Sequence, residues 1–222
     1  MKYFLTKYVL KKSITGTDWQ TDNISEYYKK PYYFTEIKRR EFPEFEPMVK
    51  LRLQEKGKFT DIVRLHNCEA NGFLVSPRVK ELWEQFNIFS SKYHPGSIIT
   101  YQQDEERDYY LFQMAGHDLE GINYSKSIFE NRYKEIGEDE MGWPIYEKVQ
   151  IKNIKEFIMQ ETMFLELSKL YFNDNFSKYD LFYVPYFMVN ADFFISERLV
   201  EAMKKEKLTG LAFHEQNIIT EF

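Results

Sequence analysis

Asp192-Phe193-Phe194-Ile195-Ser196-Glu197-Arg198-Leu199-Val200-Glu201-Ala202-Met203 is the stretch on which the reading of this chain turns. Its grammar also occurs 120 residues earlier, as Gly72-Phe73-Leu74-Val75-Ser76-Pro77-Arg78-Val79-Lys80-Glu81-Leu82-Trp83. Phe73 and Phe193, Ser76 and Ser196, and Arg78 and Arg198 fall in the same register. Phe-Leu-Val and Phe-Phe-Ile are short β-favouring runs, the pattern of buried strands. A Ser after such a run predicts a helix N-cap, its hydroxyl accepting from a first-turn amide. Pro77 suits the first helical position, where a missing N–H costs nothing, and Glu197 there favours the positive end of the helix dipole.

Behind these caps Val79, Leu82, Trp83 and Phe86 recur at helical spacing, as do Leu199, Ala202 and Met203, so each helix carries one apolar stripe. Lys204, Lys205 and Lys207 lie at the far end of the second helix and Gly210 marks its stop. Lys92-Tyr93 and Leu211-Ala212-Phe213 read as returning strands. The expectation is an α+β fold: a mixed sheet with an internally duplicated strand, Ser-capped helix and strand. With no low-complexity linker, residues 1–222 form one domain, with repeat units at about 70–95 and 190–215.

Other elements frame these units. Met1 to Ile14 is too short and broken for a signal peptide and reads as an edge strand. Met48–Leu53 and Ile62–Leu65 alternate as strands, and Ile98–Tyr101 with Tyr109–Met114 reads as a hairpin around a charged, solvated turn. The run Ile122–Ser127 holds another candidate Ser cap, and residues 135–144 read as an acidic, glycine-bounded loop. From 149 to 172 the signals conflict: Asn153 with Glu156 resembles a helix cap, while Phe164–Leu167 reads as a strand.

Composition narrows the function. Charged residues make up 29% and no apolar run approaches the length of a membrane span, so no membrane partner is expected. Cys68 stands alone, which excludes an internal disulfide and places the chain in a reducing compartment, the cytoplasm. A net charge of −5 has the wrong sign for a nucleic-acid backbone. Twenty Phe and 17 Tyr fit the composition that an AT-rich genome imposes; they are also enough to furnish an aromatic protein-binding surface.

The sequence contains no Gly-rich phosphate loop, no nucleophile elbow and no paired cysteines, and its four histidines lack ligand spacing. The reading is therefore of a protein with no catalytic residue, no metal and no cofactor. His94 and His214 occupy corresponding places after the returning strands. An Arg in a helix's first turn faces the positive dipole end, so Arg78 and Arg198 each need a partner. An ion pair with a neighbouring carboxylate and an anion site between the repeat units both satisfy that need. The run Glu41-Phe42-Pro43-Glu44-Phe45-Glu46-Pro47 excludes a central strand or helix interior. It reads as an extended surface segment, either a covering loop or a contact in which Phe42 and Phe45 are anchors and Glu41, Glu44 and Glu46 steer a basic partner.

Phe73 through Leu82, Lys92-Tyr93-His94-Pro95 and Tyr109–Phe112 together resemble the first half of a group of bacterial immunity proteins associated with polymorphic toxin systems. Gly121–Ser127 is similar to that group's middle motif, with Asn123 where Asp is usual, and Phe193–Leu199 through Leu208–Phe213 is similar to its C-terminal signature. The resemblance spans about residues 65–220 and leaves the first 60 unrecognised. It implies an α+β protein that binds and neutralises a cognate protein toxin without turnover. The rival is an enzyme or small-molecule or anion binder with a pocket between the units near Arg78 and Arg198.

Overall fold

The computed structural model describes residues 2–8, 11–17, 20–27, 30–38, 41–65, 72–115, 120–159, 165–183 and 193–214. In chain order its strands begin with β1 (Tyr3–Tyr8), β2 (Thr21–Asn23), β3 (Val49–Leu53), β4 (Ile62–Arg64), β5 (Gly72–Val75), β6 (Ser91–Ile99) and β7 (Glu106–Met114). They continue with β8 (Ile128–Glu138), β9 (Pro144–Val149), β10 (Leu165–Lys169), β11 (Leu181–Tyr183), β12 (Phe193–Ser196) and β13 (Leu211–His214). The short helices are α1 (Lys12–Thr15), α2 (Pro77–Trp83), α3 (Ile154–Met159) and α4 (Glu197–Lys205). The fold is α+β, as the sequence predicts.

Among the described residues the strands form three sheets, ordered β2-β3-β6-β7-β5-β4, β11-β12-β1-β13 and β10-β8-β9. The larger two share a central core. Phe73 and Val75 of β5 meet Phe193 and Ile195 of β12 there, together with Val79 and Trp83 of α2 and Leu199, Val200 and Met203 of α4. The opposite faces of the same strands are buried too. Leu74 enters a core with Tyr33, Phe34 and Leu51, and Phe194 enters an aromatic core with Tyr3, Phe172 and Phe182. That is why both strands read as unbroken apolar runs rather than alternating ones. β3, covered on one face only, alternates: Val49, Leu51 and Leu53 are buried while Lys50 and Arg52 are not.

Both stretches form a strand, a helix and a second strand. Neither unit pairs its own two strands. β7 lies between β5 and β6, and β1 lies between β12 and β13, each antiparallel to its two neighbours. β1 is thus the interior of its sheet, not an edge strand, because its alternating side chains face two cores instead of one core and solvent. Residue rows correspond as well: Leu74, Leu111 and His94 align across β5, β7 and β6, while Phe194, Leu5 and His214 align across β12, β1 and β13.

Other elements refine the sequence reading. Lys92-Tyr93 and Ile98-Ile99 belong to one strand, since Pro95 comes just before the β3 ladder begins at Gly96 and does not interrupt pairing with β7. α3 begins as expected, with Asn153 Oδ1 accepting from Glu156 N (3.0 Å) and Glu156 Oε2 from Lys152 N (2.8 Å). Ser127 caps no helix; its hydroxyl donates to the Asn123 carbonyl (2.8 Å) and accepts from Tyr171 N (3.0 Å), and β8 follows. The acidic stretch 135–144 is the far end of a β8–β9 hairpin: 139–143 form its connecting turn, while 135–138 and Pro144 are strand rather than loop. Gly210, at φ +103°, ends the α4 turn where a Cβ would meet the Ile62 carbonyl oxygen at 1.9 Å. Phe164 and the 186–189 run lie outside the described residues.

Candidate functional site

Ser76 and Ser196 both occupy helix N-cap positions with extended backbone, but only one caps as predicted. Ser196 Oγ accepts from Leu199 N at 3.3 Å and donates to Asp180 Oδ1 at 2.6 Å. Ser76 Oγ turns instead to Asp61 Oδ1 (3.2 Å) and takes no first-turn amide. Each Ser also donates its backbone N–H to the carbonyl of that same aspartate. Asp61 and Asp180 stand immediately before β4 and β11, the strands that flank β5 and β12.

The arginines complete two nodes. Arg198 grips both carboxylate oxygens of the buried Asp180 through Nε and Nη2. Asn87 N adds a third donor to that carboxylate at 2.9 Å. Burial alone would favour the neutral acid, but the Arg198 and Ser196 hydrogen bonds and the Asn87 amide outweigh it and hold the Asp180 carboxyl below its ordinary range. Arg78 is held more loosely, with Nη2 donating to the Glu206 carbonyl (2.8 Å) and Nη1 lying 3.6 Å from Asp61 Oδ1.

The nodes are reciprocal. Asp61 Oδ2 accepts from Thr209 N (2.9 Å) and Oγ1 (2.8 Å), and Thr209 follows α4. Asp180 accepts from Asn87, which follows α2. Arg78 reaches the C-cap of α4 at Glu206, and the Arg198 guanidinium lies over the Phe86 ring just past α2 (5.7 Å). Each aspartate therefore ties the start of one helix to the turn after the other, Asp61 joining α2 to the end of α4 and Asp180 joining α4 to the end of α2. Sequence reasoning anticipated a partner for each arginine and missed both aspartates, although each precedes an apolar run.

The Glu41–Pro47 segment is irregular, with bends at Glu41, Glu44 and Phe45, and Glu41, Phe42, Glu44 and Glu46 are exposed. Its two aromatics part company: Phe42 is 36% exposed, while Phe45 is half-buried against the Tyr33 and Leu51 core. The segment is pinned to the sheet from beneath. Gln113 Nε2 donates to the Glu41 carbonyl (2.6 Å), Gln113 Oε1 lies 3.3 Å from His94 Nε2, and His94 Nδ1 lies 3.6 Å from Glu46 Oε1. Burial pushes the His94 pKa down, against Gln113 and Glu46, which favour the charged ring. His214 pairs with Leu5 through its backbone; its side chain, like His66, His117 and Cys68, lies outside the described residues. Among the described residues, no helix is long and apolar enough to cross a membrane.

The model of the immunity protein family Imm11 matches this chain over residues 2–217. The match takes in the first 60 residues, where the sequence motifs alone carried no resemblance. No curated protein matches.

Proposed function

The chain belongs to the Imm11 immunity family, and on that premise we propose that it neutralises a cognate toxin by binding it directly, without turnover. The observation that carries this over the enzyme or anion-pocket alternative is the fate of the arginines. Arg198 is committed to the buried Asp180, and Arg78 to the Glu206 carbonyl beside Asp61. Both guanidiniums hold helix to sheet and to the opposite turn. A binder of this kind needs a partner-shaped surface with complementary charge, and it needs no cofactor.

The Glu41–Pro47 segment is one such contact. Its prolines and its tie to Gln113 limit the entropy lost when a partner orders it. Phe42 is the anchor offered outward, Glu41, Glu44 and Glu46 steer a basic surface, and Phe45 seats the segment on the core. The toxin is met in the cytoplasm, and the partner is protein rather than nucleic acid or membrane. The matching strand order and residue rows around β7 and β1 support the reading of an internal duplication.

Co-expression with a candidate toxin gene taken from the neighbourhood of this one tests the proposal. Wild type protects; Phe42→Ala protects less at unchanged melting temperature, and Phe45→Ala loses stability first. Full protection by a folded Phe42→Ala variant would remove the segment from the contact, and no protection by wild type would overturn the immunity reading.

A further inference from the structure

Every residue from Tyr133 to Ile145 is exposed, on both strands of the β8–β9 hairpin and around its turn. A two-stranded ribbon wet on both faces stands away from the body of the protein and is marginal in stability on its own. This one presents large apolar side chains: Met141 is 79% exposed, Trp143 65%, Ile136 61%, and Ile145 lies beside them in β9. Exposed groups of this size clustered on one projection mark an interaction site.

The turn is built to hold them. Asp139 Oδ1 accepts from the amides of both Met141 and Trp143 at 2.9 Å, and Asp139 N donates to the Trp143 carbonyl at 2.8 Å. Gly142, at φ +78°, supplies the left-handed residue between the two side chains. Tryptophan and methionine are residue types that interface centres favour.

Charge decides the occupant. From 135 to 143 the tip carries Glu135, Glu138, Asp139 and Glu140 and no lysine or arginine. The nearest cations are engaged lower on the ribbon, Lys134 with Glu147 (2.6 Å) and Arg132 over the Tyr146 ring (4.2 Å). A second copy would bring carboxylates against a tip like itself, on a chain of net charge −5, and an anionic membrane surface would repel it. We propose that this hairpin is the main docking arm for the toxin, inserting Met141 and Trp143 into an apolar recess rimmed by lysines and arginines. The inference rests on the toxin-binding reading above and names a surface distinct from Glu41–Pro47.

The test uses a purified toxin domain against which the wild-type chain protects on co-expression, together with the full chain, with binding kinetics followed at low and high salt. Met141→Ser/Trp143→Ser raises Kd about 100-fold, through faster dissociation, with melting temperature unchanged. Glu135→Gln/Glu138→Gln/Glu140→Gln slows association about tenfold at low salt and flattens its salt dependence. Wild-type kinetics in both variants would overturn the docking arm while leaving toxin binding intact. Failure of the wild type to bind would overturn both readings. Self-association of the wild type that Trp143→Ser abolishes would assign the arm to a second copy instead.

Discussion

Phe73 and Phe193 meet ring to ring with centroids 4.5 Å apart. They are corresponding residues of β5 and β12, the first in-facing side chain of each unit, and both are fully buried. Their contact joins the two sheets at the centre of the shared core, where Trp83 and Phe112 pack on Phe73 and Tyr183 packs on Phe193.

Removing either ring leaves a cavity the neighbours cannot fill. Phe73→Ala and Phe193→Ala are each expected to cost about 3–5 kcal/mol in urea unfolding. The double variant should cost less than the sum, by about 1–2 kcal/mol, because each single change already loses the mutual contact. Strict additivity would mean that the two rings do not work as a pair.

The two arginine nodes differ in depth, and that sets a ranking. Arg198→Ala strands a buried carboxylate with only the Ser196 hydroxyl and the Asn87 amide, at a cost on the order of 3 kcal/mol, or about 6–12 °C in melting temperature. Arg78→Ala loses one hydrogen bond and a loose exposed ion pair, about 1 kcal/mol or less. Equal losses in a thermal melt would contradict this ranking.

Acid should weaken the protein in two separable windows. The unfolded chain protonates His94 near pH 6.5, a proton the buried ring refuses, so stability is full above about pH 7 and falls as pH drops through 6. Asp180 is held below its ordinary value of about 3.9, so its contribution is present above that pH and is lost only in stronger acid. Urea unfolding at pH 7.5 and 5.5 should show a smaller difference for His94→Gln than for wild type. The same difference in both would remove His94 from the first window.

What was legible from sequence was local. The apolar runs of β5 and β12, the N-cap positions of Ser76 and Ser196, the Asn153 cap and the Gly210 stop are set by a few adjacent residues, and each is found where it was read. What was not legible depends on distant pairing. A strand carries no mark of whether one neighbour or two will flank it, so β1 read as an edge although the chain's far end pairs on both its sides. Asp61 and Asp180 stand 119 residues apart, one short of the offset that aligns the helices, and their part emerges only when β4 and β11 pair. The 135–144 stretch read as loop because an exposed ribbon has no buried face to impose alternation. Phe42 and Phe45 were indistinguishable on paper; the sheet beneath them separates one from the other.

Stoichiometric inhibition tests the central claim of neutralisation by binding most directly. Toxin activity, measured at fixed toxin concentration against increasing amounts of this protein, should fall in proportion and vanish when the two are present in comparable amounts, with the toxin's mass unchanged. Loss of all activity at a small fraction of that amount would reveal turnover, and undiminished activity in excess protein would show that this is not the toxin's inhibitor.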